Sequence, residues 1–572
     1  MRKRNRSLRI LFLVSAHNGL SQRAWIALTE LGHDVAVAVV GDAAAMEAAV
    51  AEHDPELIVC PFLKTRIPDS IWRGCPCLIV HPGPCGDRGP SSLDWAIELG
   101  LSDWGVTVLL ANAEFDAGQV LATRNFAMRE TGKTSLYRHE IRHAATEALL
   151  EAIGRIVDGG SREDRRGEPT PIGRARPLMS QSDRAIDWRS DSTNTVLRKI
   201  RAGEGHPGVL DTIGGRPFHL FGAHPERILH GPAGELIARR DNAVCRAAVD
   251  GAVWITQLKQ HDMPTQRSFK LPATLALELA GIESDLPEVG VALDARIPAD
   301  HTYREIGYEE NAGVGYLQFD FYNGATSTEQ CRRLREAYAY ARSRDTRAIV
   351  LRGGDDYFSN GIHLNVIEAA PDPGAESWRN LNAIDDLVKD ILETDSHLVI
   401  SALAGDAAAG GVPLALAADY VVAREDIVVN PYYQHMGGLY GSEYWTYLLP
   451  RRLGRAITEQ LTQPPFNPLG TNQAVKIGLL DAVLGASLND FRVGLRRFAE
   501  RVANDGLHQA RLENKRRRRM NDERDKPLEA YRAEELAHCR ECFFGPDRRY
   551  HEARRRFVYK LPASDAILRR AA

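Results

Sequence analysis

The sequence predicts an α/β multidomain protein, and three observations predict it. Its 572 residues exceed what a single hydrophobic core usually organises, so several cores are expected. Short apolar runs alternate with helical patterns in two separate stretches, one at the N-terminal end and one after residue 300. Between those stretches the pattern changes to short glycine-punctuated β runs, and beyond residue 487 it becomes charged and helical. With 44% hydrophobic and 26% charged residues the composition is that of a globular protein, and a net charge of −4 gives no bulk attraction to nucleic acid. Eight widely spread cysteines do not make a disulfide framework, so reduced thiols are expected.

The first domain is placed at residues 1–170. Its basic start and the apolar stretch Leu8 to Ala16 imitate a signal peptide, but the stretch is short, lacks a cleavage site and runs into Asn18-Gly19. It is therefore read as a first buried strand. No run approaches the ~20 apolar residues of a membrane span, and a cytoplasmic protein without membrane contact is expected. The segments Leu8 to Val14, Ser21 to Leu31, Val35 to Val40, Ala43 to Glu52 and Leu57 to Phe62 alternate strand and helix, which predicts a doubly wound, Rossmann-like domain on a parallel sheet. A further strand, Leu78 to Val80, leads into the Gly/Pro-rich loop His81 to Pro90, after which Ser91 is expected to cap a helix over Ser92 to Leu99.

The polar stretch Gly159 to Arg176 reads as a linker. The second domain, 171–285, carries β-like runs at Val209 to Ile213, Pro217 to Phe221, Glu235 to Ala238 and Ala252 to Leu258, which predict a small OB-like barrel. After a loose stretch, Glu283 to Ala299, a third domain at 300–490 begins with strand Gly315 to Phe321, helix Thr328 to Arg342 and strand Ala348 to Leu351. A C-terminal helical region, 491–572, includes the basic run Lys515 to Arg519, read as a solvated helix face because Asp522, Glu523 and Asp525 follow it. Cys539 and Cys542 form a CxxC with no second pair, so no metal site is expected. No G-x-G-x-x-G follows the first strand, which argues against a dinucleotide site.

Two constellations carry chemistry. The pieces Val80-His81-Pro82-Gly83, Asp87-Arg88-Gly89-Pro90-Ser91, Asp94-Trp95-Ala96-Ile97, Gly105-Val106-Thr107 and Asp116-Ala117-Gly118-Gln119 stand in the order of the folate-dependent formyltransferases, which the segment resembles. The resemblance implies that His81 and Asp116 flank the formyl group of 10-formyltetrahydrofolate. Formyl transfer passes through a tetrahedral oxyanion, which an imidazole can stabilise while a carboxylate orients it. The family's asparagine two residues before the histidine is Ile79 here. Loss of such a donor costs on the order of 10²-fold in rate, so either the donor comes from elsewhere or the acceptor is more nucleophilic, for which a thiol, with its pKa near about 8.5, qualifies. Asp183 to Trp188 and Ile200-Arg201-Ala202 are similar to the C-terminal domain of methionyl-tRNA formyltransferases.

The second constellation, Phe358-Ser359-Asn360-Gly361-Ile362-His363-Leu364 with Ala409-Gly410-Gly411-Val412-Pro413, looks like the two signature loops of crotonases, the enoyl-CoA hydratase/isomerase family. The resemblance implies that the backbone N–H groups of Ile362 and Gly410 grip a CoA thioester carbonyl. The two hydratase glutamates stand here as Pro413 and Gln434, so water addition is not expected. Nearby lie Asn430 to Met436 and Tyr440 to Trp445, and Tyr433 and Glu443 are the expected acid/base pair, with Tyr440 as the alternate. The competing reading makes Ser442-Glu443 a capped helix start among core tyrosines.

Across nearly the whole chain, through Asp87 to Ile97 and Leu439 to Arg452, the sequence resembles the HypX/HoxX family of hydrogenase maturation factors. That resemblance implies formyl transfer from 10-formyltetrahydrofolate to CoA, then decarbonylation of formyl-CoA to carbon monoxide for NiFe hydrogenase, with small-molecule substrates and hydrogenase maturation proteins as partners. CoA phosphates need cationic or N–H partners, for which Gln22, Arg138, Gly205, His206, Asn323 and Arg556 are selected. Two other readings stay open at this level: a formyltetrahydrofolate hydrolase or formyltransferase fused to an independent acyl-CoA enzyme, and a non-catalytic CoA- and folate-binding scaffold.

Overall fold

The computed structural model describes residues 6–157, 170–263, 267–282, 285–298 and 300–561. The expected linker at Gly159 to Arg176 therefore lies outside the described residues up to 169, as do the two ends of the loose stretch, Glu283 to Ala299. The chain divides into two compact units, Met1–Pro225 with Leu229–Glu235 and Arg246–Ile255, and Glu226–Ile228 with Leu236–Cys245 and Thr256–Ala572.

In the first unit the strands β1 (Arg9–Val14), β2 (Asp34–Val39), β3 (Leu57–Cys60), β4 (Cys77–His81), β5 (Asp103–Leu110) and β6 (Val120–Ala127) form a sheet of order β2-β1-β3-β4-β5-β6. Successive side chains of β1 point to opposite faces. Ile10, Phe12 and Val14 pack with Leu20, Ala24 and Leu28 of the helix Gly19–Glu30 and with Ala145 and Leu149 of the helix Arg142–Val157. Leu11 and Leu13 meet Met46 and Ala49 of the helix Ala43–His53 on the other face.

The sheet is parallel only as far as β4. The strands on which the parallel sheet was expected, β1 to β4, do pair in parallel, while β5 on β4 and β6 on β5 add an antiparallel edge. The stretch 111–119 between β5 and β6 is too short for a crossover and can only make a hairpin. Ser91 precedes the helix Ser92–Glu98 but makes no side-chain cap; its Oγ instead accepts the N–H of Met179 at 3.0 Å.

The OB-like expectation is met by a sheet of order β7-β8-β11-β10-β9, with β12 on β11. Its strands are β7 (Val209–Ile213), β8 (Arg216–Glu226), β9 (Leu236–Arg240), β10 (Ala243–Ala247), β11 (Ala252–Gln260) and β12 (Leu271–Pro272).

The second unit holds β13 (Ile306–Asn311), β14 (Val314–Phe319), β15 (Ala348–Arg352), β16 (Tyr357–Ser359), β17 (Leu398–Leu403), β18 (Asp406–Ala408), β19 (Tyr420–Ala423), β20 (Val428–Asn430), β21 (Leu469–Gly470) and β22 (Ala482–Val483). They build one sheet of order β13-β14-β15-β17-β19-β22 and a smaller one of order β16-β18-β20-β21. Leu317, Ile349, Leu351 and Val399 face the main core with Leu334 and Tyr338 of the helix Thr328–Arg342. Val314, Tyr316, Val350 and Ile400 face Phe491 and Leu495 of the helix Leu488–Asn504. The short strands β16 and β18 pair in parallel, which sets the loops that follow them side by side.

The basic run lies on the helix His508–Asp525, and one of its members is not solvated. Lys515 is buried, its Nζ donating to Asp419 Oδ2 at 2.6 Å and to His397 O at 3.0 Å. Arg516, Arg517 and Arg518 are exposed as expected. The helical period turns Lys515 inward and, four residues on, lays the half-buried Arg519 on Tyr447, so the solvated-face reading fails for Lys515 and holds only in part for Arg519. Among the described residues no helix is long and apolar enough to cross a membrane.

Lys515→Ala leaves the partly buried Asp419 without its cation and should destabilise the second unit by about 1–3 kcal/mol. Arg517→Ala should stay within about 0.5 kcal/mol of the parent. Denaturant unfolding followed by tryptophan fluorescence checks both.

Candidate active sites

His81 ends β4, opposite Thr107 of β5, and is almost completely buried. The chain then turns through Pro82-Gly83-Pro84 back onto it. Residue 83 must lack a side chain, because a Cβ there would overlap Asp87 Oδ2, His81 Nε2 and Ser92 Oγ. Thr107 Oγ1 donates to Gly83 O at 2.8 Å and Trp104 Nε1 to Pro82 O at 2.9 Å, fixing the turn.

This loop brings a second carboxylate to the histidine. His81 Nε2 lies 3.0 Å from Asp87 Oδ2, while Nδ1 lies 3.4 Å from Asp116 Oδ2. Asp87 was within a motif the sequence singled out, yet its role was missed. It is fully buried and also meets Ser92 Oγ and, at 3.4 Å, an Arg176 guanidinium nitrogen. Asp116 differs: its side chain is 18% exposed, its backbone is left-handed at φ +52°, and Gly89 N–H donates to it at 3.4 Å. Asp87 is therefore the fixed anchor, and Asp116 stands on the open side of the imidazole.

Burial alone would lower the pKa of His81, but its bonds to Asp116 and Asp87 outweigh that and push it up to about 9. Burial acts to raise Asp116, yet the His81 partner holds it below the ordinary carboxylate value. At neutral pH the pair is an imidazolium and a carboxylate, a proton donor and a proton acceptor side by side. Ile79 is partly buried in strand pairing with Leu109 and offers no polar atom, as the sequence indicates.

In the second unit the loops after β16 and β18 meet. A Cβ on Gly361, whose φ is +76°, would lie 3.2 Å from Gly410 N, and a Cβ on Gly411 would overlap Ser359 O, so the backbone favours glycine at 361 and the close approach requires it at 411. Ile362 forms a parallel bridge with Thr326. The buried Asn380, on the helix Pro373–Leu392, accepts His363 N–H at 2.9 Å and donates to Thr326 O at 2.9 Å. Asn380 thus clamps the loop carrying Ile362, a role that no local sequence signal discloses.

Glu443 and Tyr433 come together at this place. Tyr433 OH donates to Glu443 Oε2 at 2.8 Å, and Ser442 N–H donates to the same oxygen at 3.1 Å. The other oxygen, Oε1, lies over Gly410, where any Cβ would overlap it. Burial raises the pKa of Glu443, the charge of Asp385 raises it further, and it reaches about 8 against the pull of Tyr433 and Ser442. The Tyr433 hydroxyl is pushed far up by burial and by Glu443, so it stays a donor.

Tyr440 stacks on His538 at 4.2 Å between ring centroids and leans on Trp445, with no bond to Glu443. Gln434 is exposed, with Nε2 donating to Thr462 O at 3.4 Å. The capped-start reading of Ser442-Glu443 is not what the structure has. The helix begins at Trp445, Tyr444 precedes it without a side-chain cap, and both Glu443 and Tyr444 have positive φ, at +62° and +58°.

The residues selected for CoA stand as follows. In the first unit, Gln22 Nε2 donates to His17 O at 3.0 Å, Arg138 lies in the π-helical segment Tyr137–Ile141, Gly205 has φ +82°, and His206 O accepts Lys133 Nζ at 2.9 Å. In the second unit, Asn323 has φ +57° and its O accepts Asn360 Nδ2 at 2.8 Å, while Arg556 is half-buried in the helix Arg549–Tyr559. Cys539 and Cys542 point to separate carbonyls, those of Gly441 and Gly438.

Three family models match the chain: formyl transferase at residues 41–153, formyl transferase C-terminal domain at 178–269, and enoyl-CoA hydratase/isomerase at 309–564. The chain is 46% identical to a hydrogenase maturation factor HoxX of Bradyrhizobium diazoefficiens, over 97% of this chain and 96% of that one. It is 42% identical to HypX from Aquifex aeolicus, solved in complex with tetrahydrofolic acid, with 98% of each chain covered and a TM-score of 0.93. A methionyl-tRNA formyltransferase of Anaeromyxobacter dehalogenans is 27% identical over 32% of this chain.

Asp87→Asn removes one of the two charges that hold His81 protonated, and the imidazole midpoint should fall from about 9 by about one unit or more. Histidine-resolved NMR titration reads the shift directly, and an unchanged midpoint would contradict the assignment of Asp87 as anchor.

Proposed function

The chain belongs to the HypX/HoxX family of hydrogenase maturation factors, and from that membership we propose that it moves the formyl group of 10-formyltetrahydrofolate onto the thiol of CoA and then releases carbon monoxide from formyl-CoA. The carbon monoxide serves as the iron ligand of NiFe hydrogenase, with hydrogenase maturation proteins as the receiving partners. The observation that carries this reading is the Glu443 carboxyl with Oε1 over Gly410 and Oε2 bound to Tyr433. It supports proton traffic beside a thioester carbonyl in a cradle without hydratase glutamates.

At the first site the thiol attacks the formyl carbon, forming C–S and a tetrahedral oxyanion. Asp116, on the open side of His81, takes the thiol proton. The imidazolium stabilises the oxyanion and protonates N10 of the folate as C–N breaks, and the 3.4 Å contact between the two side chains returns the proton to His81. An imidazolium held protonated up to about pH 9 lets this half reaction run without the asparagine that Ile79 replaces.

At the second site the N–H groups of Ile362 and Gly410 polarise the formyl carbonyl. Glu443 Oε1, in its ionised form, takes the formyl proton; the carbon keeps the C–H pair as the C–S pair leaves with sulfur; Glu443 then returns the proton to the thiolate. Formyl-CoA becomes carbon monoxide and CoA with no other reactant. A carboxylate whose conjugate acid has a pKa of about 8 is a stronger base than an ordinary one and matches a thiol to which it hands the proton. Contacts to CoA are assigned to Gln22, Arg138, Gly205 and His206 in the first unit and to Asn323 and Arg556 in the second.

Incubation with 10-formyltetrahydrofolate, with and without CoA, and capture of carbon monoxide by a haem protein tests the whole reaction. CoA-dependent carbon monoxide is expected; CoA-independent formate would mean a hydrolase, and no turnover a scaffold. Glu443→Gln should lower carbon monoxide release by about 10²–10⁴-fold while formyl-CoA accumulates. The rate of release should rise with pH through about 8, because the ionised carboxyl is the base.

A further inference from the structure

Two other acids, Asp385 and Glu535, converge from separate helices on the backbone that carries Glu443. Asp385, on the helix Pro373–Leu392, accepts Glu443 N–H at 2.8 Å on Oδ1 and Ser442 Oγ–H at 2.9 Å on Oδ2. Glu535, on the helix Leu528–Phe544, accepts Tyr444 N–H at 2.9 Å and Thr446 N–H at 2.8 Å, and the Thr446 hydroxyl as well. Ser442 Oγ lies 3.3 Å from Glu535, so it sits between the two acids. Both are fully buried.

We propose that Asp385 and Glu535 are positioning residues for Glu443, holding residues 442–446 in the shape that lays its carboxyl over Gly410 and supplying the negative field in which that carboxyl works. The proposal rests on the assignment of Glu443 as the base of carbon monoxide release.

Two consecutive non-glycine residues with positive φ, Glu443 and Tyr444, cost on the order of 1–3 kcal/mol each, and such a turn persists only where its surroundings over-determine it. Here each of the two strained residues has its N–H bound by one of the two acids. A carboxylate accepts on both oxygens, which is what a cluster of N–H and O–H donors requires. Three buried carboxyls, those of Glu443, Asp385 and Glu535, gather on this turn, and only Asp385 among them stands against a guanidinium. Arg532 Nε stands 3.7 Å from Asp385, and its NH1 is turned to Asp386 at 2.7 Å.

The titratable groups around Glu443 are Tyr433 on its own loop, Asp385 and Asp386 on one helix, Arg532, Glu535 and Cys539 on another, and Cys331 on the helix Thr328–Arg342. Burial holds both thiols and the tyrosine neutral, which leaves the acids and Arg532 to set the field. Burial raises Asp385 to about 7, so it is charged over the range in which Glu443 titrates.

Asp385→Asn keeps an oxygen for Glu443 N–H and a neighbour for Ser442 while removing the charge. Infrared difference spectroscopy of the full chain across a pH series reads the protonated carboxyl band of Glu443, identified by its loss in Glu443→Gln, without any substrate. The midpoint of that band should fall by about one unit or more in Asp385→Asn, and the pH midpoint of carbon monoxide release should fall with it. Burial raises Glu535 to about 8, so it carries only part of its charge where Glu443 titrates; Glu535→Gln removes that part, its band midpoint should move in the same direction by less, and it carries the test if Asp385→Asn does not fold.

A midpoint unchanged or raised in both variants, with only a lower rate, would overturn the proposal and leave the acids a structural role. Because the band is read in the absence of formyl-CoA, its shift stands or falls independently of whether carbon monoxide is the product.

Discussion

Glu443 lies over Gly410 because residue 410 has no side chain and because the backbone at 443 and 444 is turned left-handed. Remove either condition and the carboxyl leaves the cradle formed by the loops after β16 and β18. Much of the second unit can be traced from that constraint. The parallel pairing of β16 with β18 sets Gly361 against Gly410, Asn380 ties the Ile362 loop to Thr326, and the helix Leu528–Phe544 reaches in with Glu535. The charged C-terminal region is thus part of the site, through a buried acid rather than through its exposed arginines.

The two sites solve opposite electrostatic problems with the same material. At His81, burial would strip the imidazole of its proton, and two carboxylates reverse that, leaving a donor poised beside an acceptor. At Glu443, burial and neighbouring acids act in the same direction and raise the carboxyl to about 8. Each site is missing the part its wider family relies on, an amide at residue 79 and glutamates at 413 and 434. In each, a tuned proton affinity stands in that place.

Much of this was legible in the sequence wherever the signal was local. The alternation of apolar runs gave both α/β domains, and helix Thr328–Arg342 was placed to the residue. His81 and Asp116 were expected from the resemblance to folate-dependent formyltransferases, Tyr433 and Glu443 from a polar and aromatic run near the second crotonase loop, and the structure brings each pair into contact. Asp87 was not seen as a partner of His81, because their contact depends on a turn that only Gly83 permits. Asp385, Asn380 and Glu535 lie tens of residues from what they hold, and helical burial patterns alone cannot tell such an acid from one that faces solvent. The antiparallel edge of the first sheet and the inward turn of Lys515 were hidden for a related reason: strand direction and the facing of a single helical residue follow from neighbours that the local pattern does not name.

The most direct measurement supplies formyl-CoA, deuterated at the formyl carbon, to the protein in the absence of folate. The account predicts carbon monoxide and free CoA as the products, with release slower than from the protiated thioester because the C–D bond breaks at Glu443. Formate and free CoA in place of carbon monoxide would contradict it.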